Sequence, residues 1–371
     1  MKSLLPSLKL ALFLLITILF IYGVIMARNL LFPITFGVLF AYLLLPVAKF
    51  LELNGIPRIL ANLMVILLAL IVLGLIFFLF YQQLALMFEN LGSLKESANR
   101  NIESFQQEIQ DLLGLSDNRL EDFLKAEVNR FFSSGSSGIG QLFSSTTGTV
   151  FRILILPVYV FLFLYYRTKF AYFILKMVKK KNKPVAIKIL RDISTVAERY
   201  MGGVFIVVLI LCIINSSGLL IIGVDYAILL GIISAFFNFI PYFGTLMGGA
   251  VPLLFVLLTD PDPLHMGLRV LVMFIIVQFT ENNILTPNIV GGNVNINPFF
   301  IIIGLVVGSV IWGIPGMLVI VPFLAIARII FINIESLNHY AFLLGPRGTQ
   351  KHSVNFRKIK NRLKSSKKKK E

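Results

Sequence analysis

The stretch Asn238-Phe239-Ile240-Pro241-Tyr242-Phe243-Gly244 interrupts an apolar run from Tyr226 to Leu258, and its reading decides the fold. Pro241 has no N–H to donate and Gly244 is a poor helix former, so an unbroken helix through them is disfavoured. A second apolar run, Pro298 to Phe331, is interrupted in the same way at Gly313-Ile314-Pro315-Gly316. As a continuous helix each run would be roughly 50 Å long at ~1.5 Å per residue, against a hydrocarbon core of about 30 Å. That is too long for one span and too short for two full spans with a turn. Each run therefore reads as a helix pair, bent back inside the membrane or crossing it as two short tilted pieces. Broken helices at membrane depth are tolerated where the freed backbone lines a cavity or is covered by protein.

The rest of the chain agrees with a membrane reading. Of 371 residues, 57% are apolar, and the mean hydropathy is +0.87. Further runs of span length are Leu10–Met26, Leu30–Ala48, Leu60–Tyr81, Thr147–Tyr166, Gly203–Ile222 and Val270–Leu285. The expected fold class is an all-α polytopic membrane protein with about six full spans plus two Pro/Gly-broken helix pairs. Lys2 and Lys9 precede the first apolar run, and Ile21–Arg28 lacks a small-x-small cleavage pattern, so that run is expected to be retained as a span.

Charge sets the expected orientation. The net charge is +16, with ten basic and two acidic residues in Arg167–Arg199 and eleven basic and one acidic in Arg347–Glu371. Basic clusters beside apolar spans belong in the cytoplasm, which places both termini there. Nucleic acid is not an expected partner; anionic lipid is, at the basic linker and at the Lys367–Lys370 tail. With the N-terminus inside, three spans put Gln82–Thr146 outside, where nine acids outnumber five bases. The expected divisions are an N-terminal bundle (1–81), an external amphipathic region (82–146), the fourth span with a basic interfacial helix (147–202), a core holding both broken segments (203–334) and a basic tail (335–371).

The external region is patterned. Met87, Leu91, Leu94, Ala98, Ile102, Phe105, Ile109 and Leu112 recur every three or four residues, as on one face of a helix. Leu120, Phe123, Leu124, Val128 and Phe131 continue the pattern after a turn at Gly114–Asn118, and Ser133–Gly140 reads as a joint. Such a stripe buries against neighbouring spans, the membrane surface or a second subunit. After the fourth span, Lys183-Pro184 with Ile187, Leu190, Ile193, Val196 and Tyr200 reads as a basic amphipathic helix at the cytoplasmic interface.

Glu281 is the strongest candidate for chemistry, because it is the only acid between Asp262 and Glu335 and sits in an apolar run. A carboxylate there costs ~2.5–3.5 kcal/mol or more unless it is paired or wetted, so it calls for a cavity, an ion or a proton. Gln278, Asn282, Asn283 and Thr286 add neutral donors and acceptors, while Pro287 is expected to end or unwind the span at Thr286. Asn238 and Tyr242 are a second polar pair, with Pro241, Gly244, Pro287, Pro298, Gly313, Pro315 and Gly316 shaping the broken backbone. The bland alternatives are a helix end facing water at Glu281 and a tight structural turn at Pro241. Enzyme signatures are missing: there is no His-Glu-x-x-His, no glycine-rich phosphate loop and no paired intramembrane aspartate. Cys212 is the sole cysteine, which excludes an internal disulfide, and no cofactor or metal site is expected.

Three motifs together resemble the autoinducer-2 exporter family of bacterial permeases. They are Asn238-Phe-Ile-Pro241-Tyr242-Phe-Gly244, then Gln278-x-x-Glu281-x-Asn283-x-Leu285-Thr286-Pro287 continuing through Gly291 to Pro298, and Gly313-x-x-Gly316 followed by Pro322. The resemblance implies a homo-oligomeric inner-membrane permease, and it associates the family with autoinducer-2 export in quorum sensing and with sodium/proton antiport. Two positions depart from the family pattern: Thr245 stands where a proline is frequent, and Asn288 where a basic residue is favoured. The leading expectation is a secondary transporter of a small solute, coupled to proton or sodium, with its path between the two broken segments and the Val270–Pro287 span and Glu281 as the coupling or solute-contacting carboxylate. A sodium/proton antiporter and a non-transporting oligomeric scaffold are the rivals.

Overall fold

The computed structural model describes residues 6–113, 121–130, 146–291 and 295–346. The expected Gly114–Asn118 turn, the Ser133–Gly140 joint and the tail beyond residue 346 lie outside them. The described residues are helical and contain no strand, and six of the helices are long and apolar enough to cross a membrane. They carry a broad apolar exterior, with Leu67, Ile71 and Phe77 more than half exposed. An exterior of that kind suits lipid and would not be tolerated in water. The protein is an all-α, multi-pass membrane protein.

By contacts the chain divides into two compact units, residues 1–174 with 197–293, and residues 175–196 with 294–371. The first unit opens with α1 (Pro6–Met26), α2 (Arg28–Leu53) and α3 (Arg58–Glu89). Against α2 and α3 packs α6 (Thr146–Met177), with Ala41, Leu45, Ile66, Val160 and Leu164 buried together. Pro157 lies inside α6 and Pro33 and Pro46 inside α2, as packed membrane helices allow. Two ion pairs tie the polar ends: Arg167 Nη2 to Glu52 Oε2 at 2.5 Å and Lys49 Nζ to Glu198 Oε1 at 2.9 Å.

Part of the amphipathic stripe packs within the chain, while Phe123 and Leu124 remain exposed. The stripe forms α4 (Leu91–Leu113), followed by a helix over residues 121–130, here α5. Leu94, Ala98 and Ile102 are buried, and Ala98, Ile102 and Val128 form one cluster with Leu258 against it. Burial inside one chain thus accounts for these positions without a second subunit.

The linker residues Lys183–Tyr200 are helical, and they run without a break into the following span as one 40-residue helix, α7 (Lys183–Ile222). Gly202-Gly203 looks like a stop in the sequence, yet it serves packing: a Cβ at Gly203 would sit 2.9 Å from the Val290 Cα. Leaving out that side chain lets another backbone approach while the helix runs on.

The first broken run is a hairpin of α8 (Ala227–Phe237) and α9 (Phe243–Thr259). At ~1.5 Å per residue its arms are about 16 and 25 Å long, both short of a ~30 Å core. Both feet are held by α4 and its cap. Asn90 Nδ2 donates to the Tyr226 hydroxyl at 3.0 Å, and Asn101 Nδ2 reaches the carbonyls of Leu258 at 3.0 Å and Asp260 at 2.8 Å. The two feet thus rest side by side, on α4 and on the Asn90 junction before it. Then α10 (Pro263–Thr280) begins with Asp262 at its cap and Pro263 in the first turn.

The second unit holds the other broken pair, α12 (Pro298–Trp312) and α13 (Ile314–Asn333). The break is the single residue Gly313 at φ +68°, a conformation that a side chain disfavours. Pro298 starts α12 behind Asn297, whose side chain accepts from the Phe299 N–H at 3.1 Å. Pro315 occupies the first turn of α13, and Gly316 lies inside it against Gly308, where the two backbones touch. This pair is unequal, since α13 has 20 residues and is by itself long enough to cross. A short α14 (Asn338–Leu344) follows, its Leu344 carbonyl accepting from the Asn297 N–H at 2.8 Å.

Candidate functional site

The hairpin tip is built by a turn that helix geometry does not permit. Tyr242 has φ +64° and ψ −47°, and the Phe243 N–H reaches back to the Pro241 carbonyl at 2.8 Å. That is a γ-turn of the positive-φ kind, which is rare and strained for a residue with a side chain. Gly244 then returns its N–H to the Ile240 carbonyl at 2.8 Å, and a Cβ on Gly244 would overlap the Phe237 carbonyl. Thr245 Oγ1 donates to the Tyr242 carbonyl at 2.7 Å. A hydroxyl thus fills a backbone acceptor at the turn.

Around this tip a narrow polar crevice forms. It is lined from α7 by Leu211 and Asn215, from α8 by Ser234 and Asn238, from the start of α9 by Gly244 and Thr245, and from α10 by Phe274, Val277 and Gln278, with Glu281 beyond. Its free volume is about 10 Å³, on the order of one water. As it stands the crevice has room for nothing larger than a water.

Glu281 is 8% exposed and doubly bonded. Its Oε2 accepts from Gln278 Nε2 at 2.8 Å, and its Oε1 accepts a short bond from Thr286 Oγ1. Of the two outcomes expected from Pro287, the span does not end at Thr286 but loosens just before it. Residues Glu281–Leu285 form a π turn, and α11 (Thr286–Ile289) continues the helix with Pro287 in its first turn. The wider turn closes through the Thr286 N–H to the Glu281 carbonyl. It absorbs the proline's missing donor, and such turns concentrate at functional positions.

The expected residues separate into two groups. Gln278, Glu281 and Asn238 line the crevice, and Thr286 joins through its bond to Glu281. Asn282, Asn283 and Tyr242 are exposed, and Asn283 Nδ2 is committed to the Phe279 carbonyl at 2.8 Å. Asn215 and Ser234 were not among the expected residues. Each is 1% exposed, and Asn215 Nδ2 donates to Ser234 Oγ at 3.1 Å. Asn215 Oδ1 is buried with no partner. The available signal was Asn215-Ser216-Ser217, three polar residues inside the apolar Gly203–Ile222 run. Among the described residues no group of three His, Cys, Asp or Glu side chains is gathered to hold a metal.

A short-armed apolar hairpin whose tip meets a π turn and a buried carboxylate suits a membrane transporter. The comparisons agree on the class and give the family. The model of the AI-2E family transporter matches residues 14–336, and the chain belongs to that family. It is similar to two Bacillus subtilis (strain 168) proteins named as candidate transport proteins. YrrI is 29% identical over 320 residues, covering 82% of this chain and 87% of YrrI. YueF is 28% identical over 228 residues, covering 62% of this chain and 60% of YueF, so only about three fifths of that relative is spanned. A candidate transport protein of Borreliella burgdorferi is 28% identical over 196 residues, 51% of this chain and 53% of the relative.

Proposed function

We propose that the protein exports a small, hydroxyl-bearing solute, of which autoinducer-2 is the first candidate, from the cytoplasm across a bacterial inner membrane. The path runs through the crevice at the tip of the α8–α9 hairpin. The observation that carries this reading is the acceptor-rich lining: a buried Glu281 carboxylate beside Asn215, whose Oδ1 lacks a donor. A buried acceptor without a partner costs about 1–3 kcal/mol. Hydroxyl groups of a passing solute, or a cation, relieve that cost. Glu281 is the coupling group, exchanging its Gln278 and Thr286 partners for solute, proton or sodium as the hairpin opens. Gln278 and Asn238 are neutral contacts; Pro241, Gly244 and the π turn before Pro287 set the unwound backbone. Asn282, Asn283 and Tyr242 lie at the rim.

The test is purified protein in vesicles preloaded with autoinducer-2 and a pH dye, followed with and without sodium. Solute release above that of empty vesicles supports export. Sodium-dependent pH change without solute release moves the assignment to sodium/proton exchange. No signal of either kind refutes this solute and leaves assembly as a scaffold the better account.

A further inference from the structure

A second cavity lies in the first unit, away from the hairpin, where α3 begins and α6 nears its end. It is an open pocket of about 530 Å³ lined by Arg58, Ile59, Tyr165, Tyr166, Thr168 and Lys169, with Pro57 at its edge. Its charge is unbalanced. Glu52 is the acid that pairs here, with Arg167 at 2.5 Å and with Arg58 Nε at 3.7 Å. One carboxylate therefore pairs with Arg58 and Arg167, and Lys169 adds a third positive charge to the pocket. Arg58 Nη1 donates to Thr168 Oγ1 at 3.2 Å and to the Tyr165 carbonyl at 3.4 Å, which holds the guanidinium at the pocket. Accepting that bond leaves the Thr168 O–H proton to point elsewhere. Lys169 Nζ stands 5.5 Å above the Tyr166 ring, held by a cation–π contact that leaves its charge unneutralised.

We infer that this pocket binds the phosphate group of an anionic phospholipid. A phosphate presents acceptor oxygens and a negative charge, which suit a planar guanidinium, an ammonium and a hydroxyl donor. The surroundings select lipid over soluble phosphate. Ile59 is 49% exposed and Leu63 is 50% exposed on α3, while Leu162 and Tyr166 on α6 are 39% and 38% exposed. These form an apolar flank continuing from the pocket along both spans, where acyl chains would lie. Tyrosines beside a basic cluster are the usual residues of the membrane interface. The basic residues also mark the side expected to face the anionic cytoplasmic leaflet. The site is independent of the transport path.

The experiment is native mass spectrometry of the full-length protein in detergent, titrated with phosphatidylglycerol, with phosphatidylcholine or with inorganic phosphate. The wild type should retain phosphatidylglycerol over phosphatidylcholine. Arg58→Gln/Lys169→Gln should weaken that retention about tenfold. Lys95→Gln/Arg100→Gln, which removes the same charge from the exposed face of α4, should leave it unchanged. Lys169→Gln alone, which spares the Arg58 contacts to α6, should lose part of the affinity with an unaltered unfolding temperature. Equal retention by wild type and the Arg58/Lys169 variant overturns the site. Displacement of phosphatidylglycerol by millimolar inorganic phosphate overturns the lipid assignment.

Discussion

At the scale of residues, the site depends on a few positions where one atom more or less decides the geometry. Gly244 is the clearest. Its Cα faces the Phe237 carbonyl so closely that no Cβ fits, and the strained Tyr242 turn depends on that approach. Gly244→Ala should therefore lower stability by ~1–3 kcal/mol or more, read as a drop in the thermal unfolding midpoint in detergent. An equal drop for Gly92→Ala, where a Cβ meets open space, would contradict this. Glu281 was legible because a lone carboxylate in an apolar run is expensive and conspicuous. Asn215 and Ser234 were not, since an amide or a hydroxyl is cheap enough in a membrane helix to pass as packing. Their value as a pair comes from α7 and α8 meeting, and spacing along the chain cannot supply it.

At the scale of elements, α4 clamps the hairpin at both feet. Asn101 satisfies carbonyls at the end of α9 that have no helical donor left. Asn101→Leu should cost about 1–3 kcal/mol and speed proteolytic cleavage within α4, while Ser104→Ala on its exposed face should do neither. Indistinguishable cleavage rates would remove the clamp. The break at Asn238–Gly244 could be read directly, because proline and glycine act on their own backbone. The α7 helix and the π turn could not. The former was hidden by Gly202-Gly203, whose role is contact with Val290. The latter arises because neighbouring packing keeps the helix going past a proline that would otherwise stop it.

At the scale of the whole molecule, the apolar exterior and helix count match the composition, and the orientation rests on charge. With Cys212 replaced by alanine, a membrane-impermeant thiol reagent on intact cells should label Ser104→Cys, in α4, which the charge pattern puts outside. It should label Asn54→Cys, between α2 and α3, only after permeabilisation. The reverse pattern would invert the topology. The account's central claim is that solute passes the Glu281 crevice, and the most direct measurement is the initial rate of autoinducer-2 release from vesicles containing Glu281→Gln. Glutamine preserves the shape but removes the charge that accepts from Gln278 and Thr286. The account predicts a fall of ~10-fold or more with normal insertion, and near-natural rates for the exposed Asn282→Ala. Natural rates and an unchanged pH profile in Glu281→Gln would contradict it.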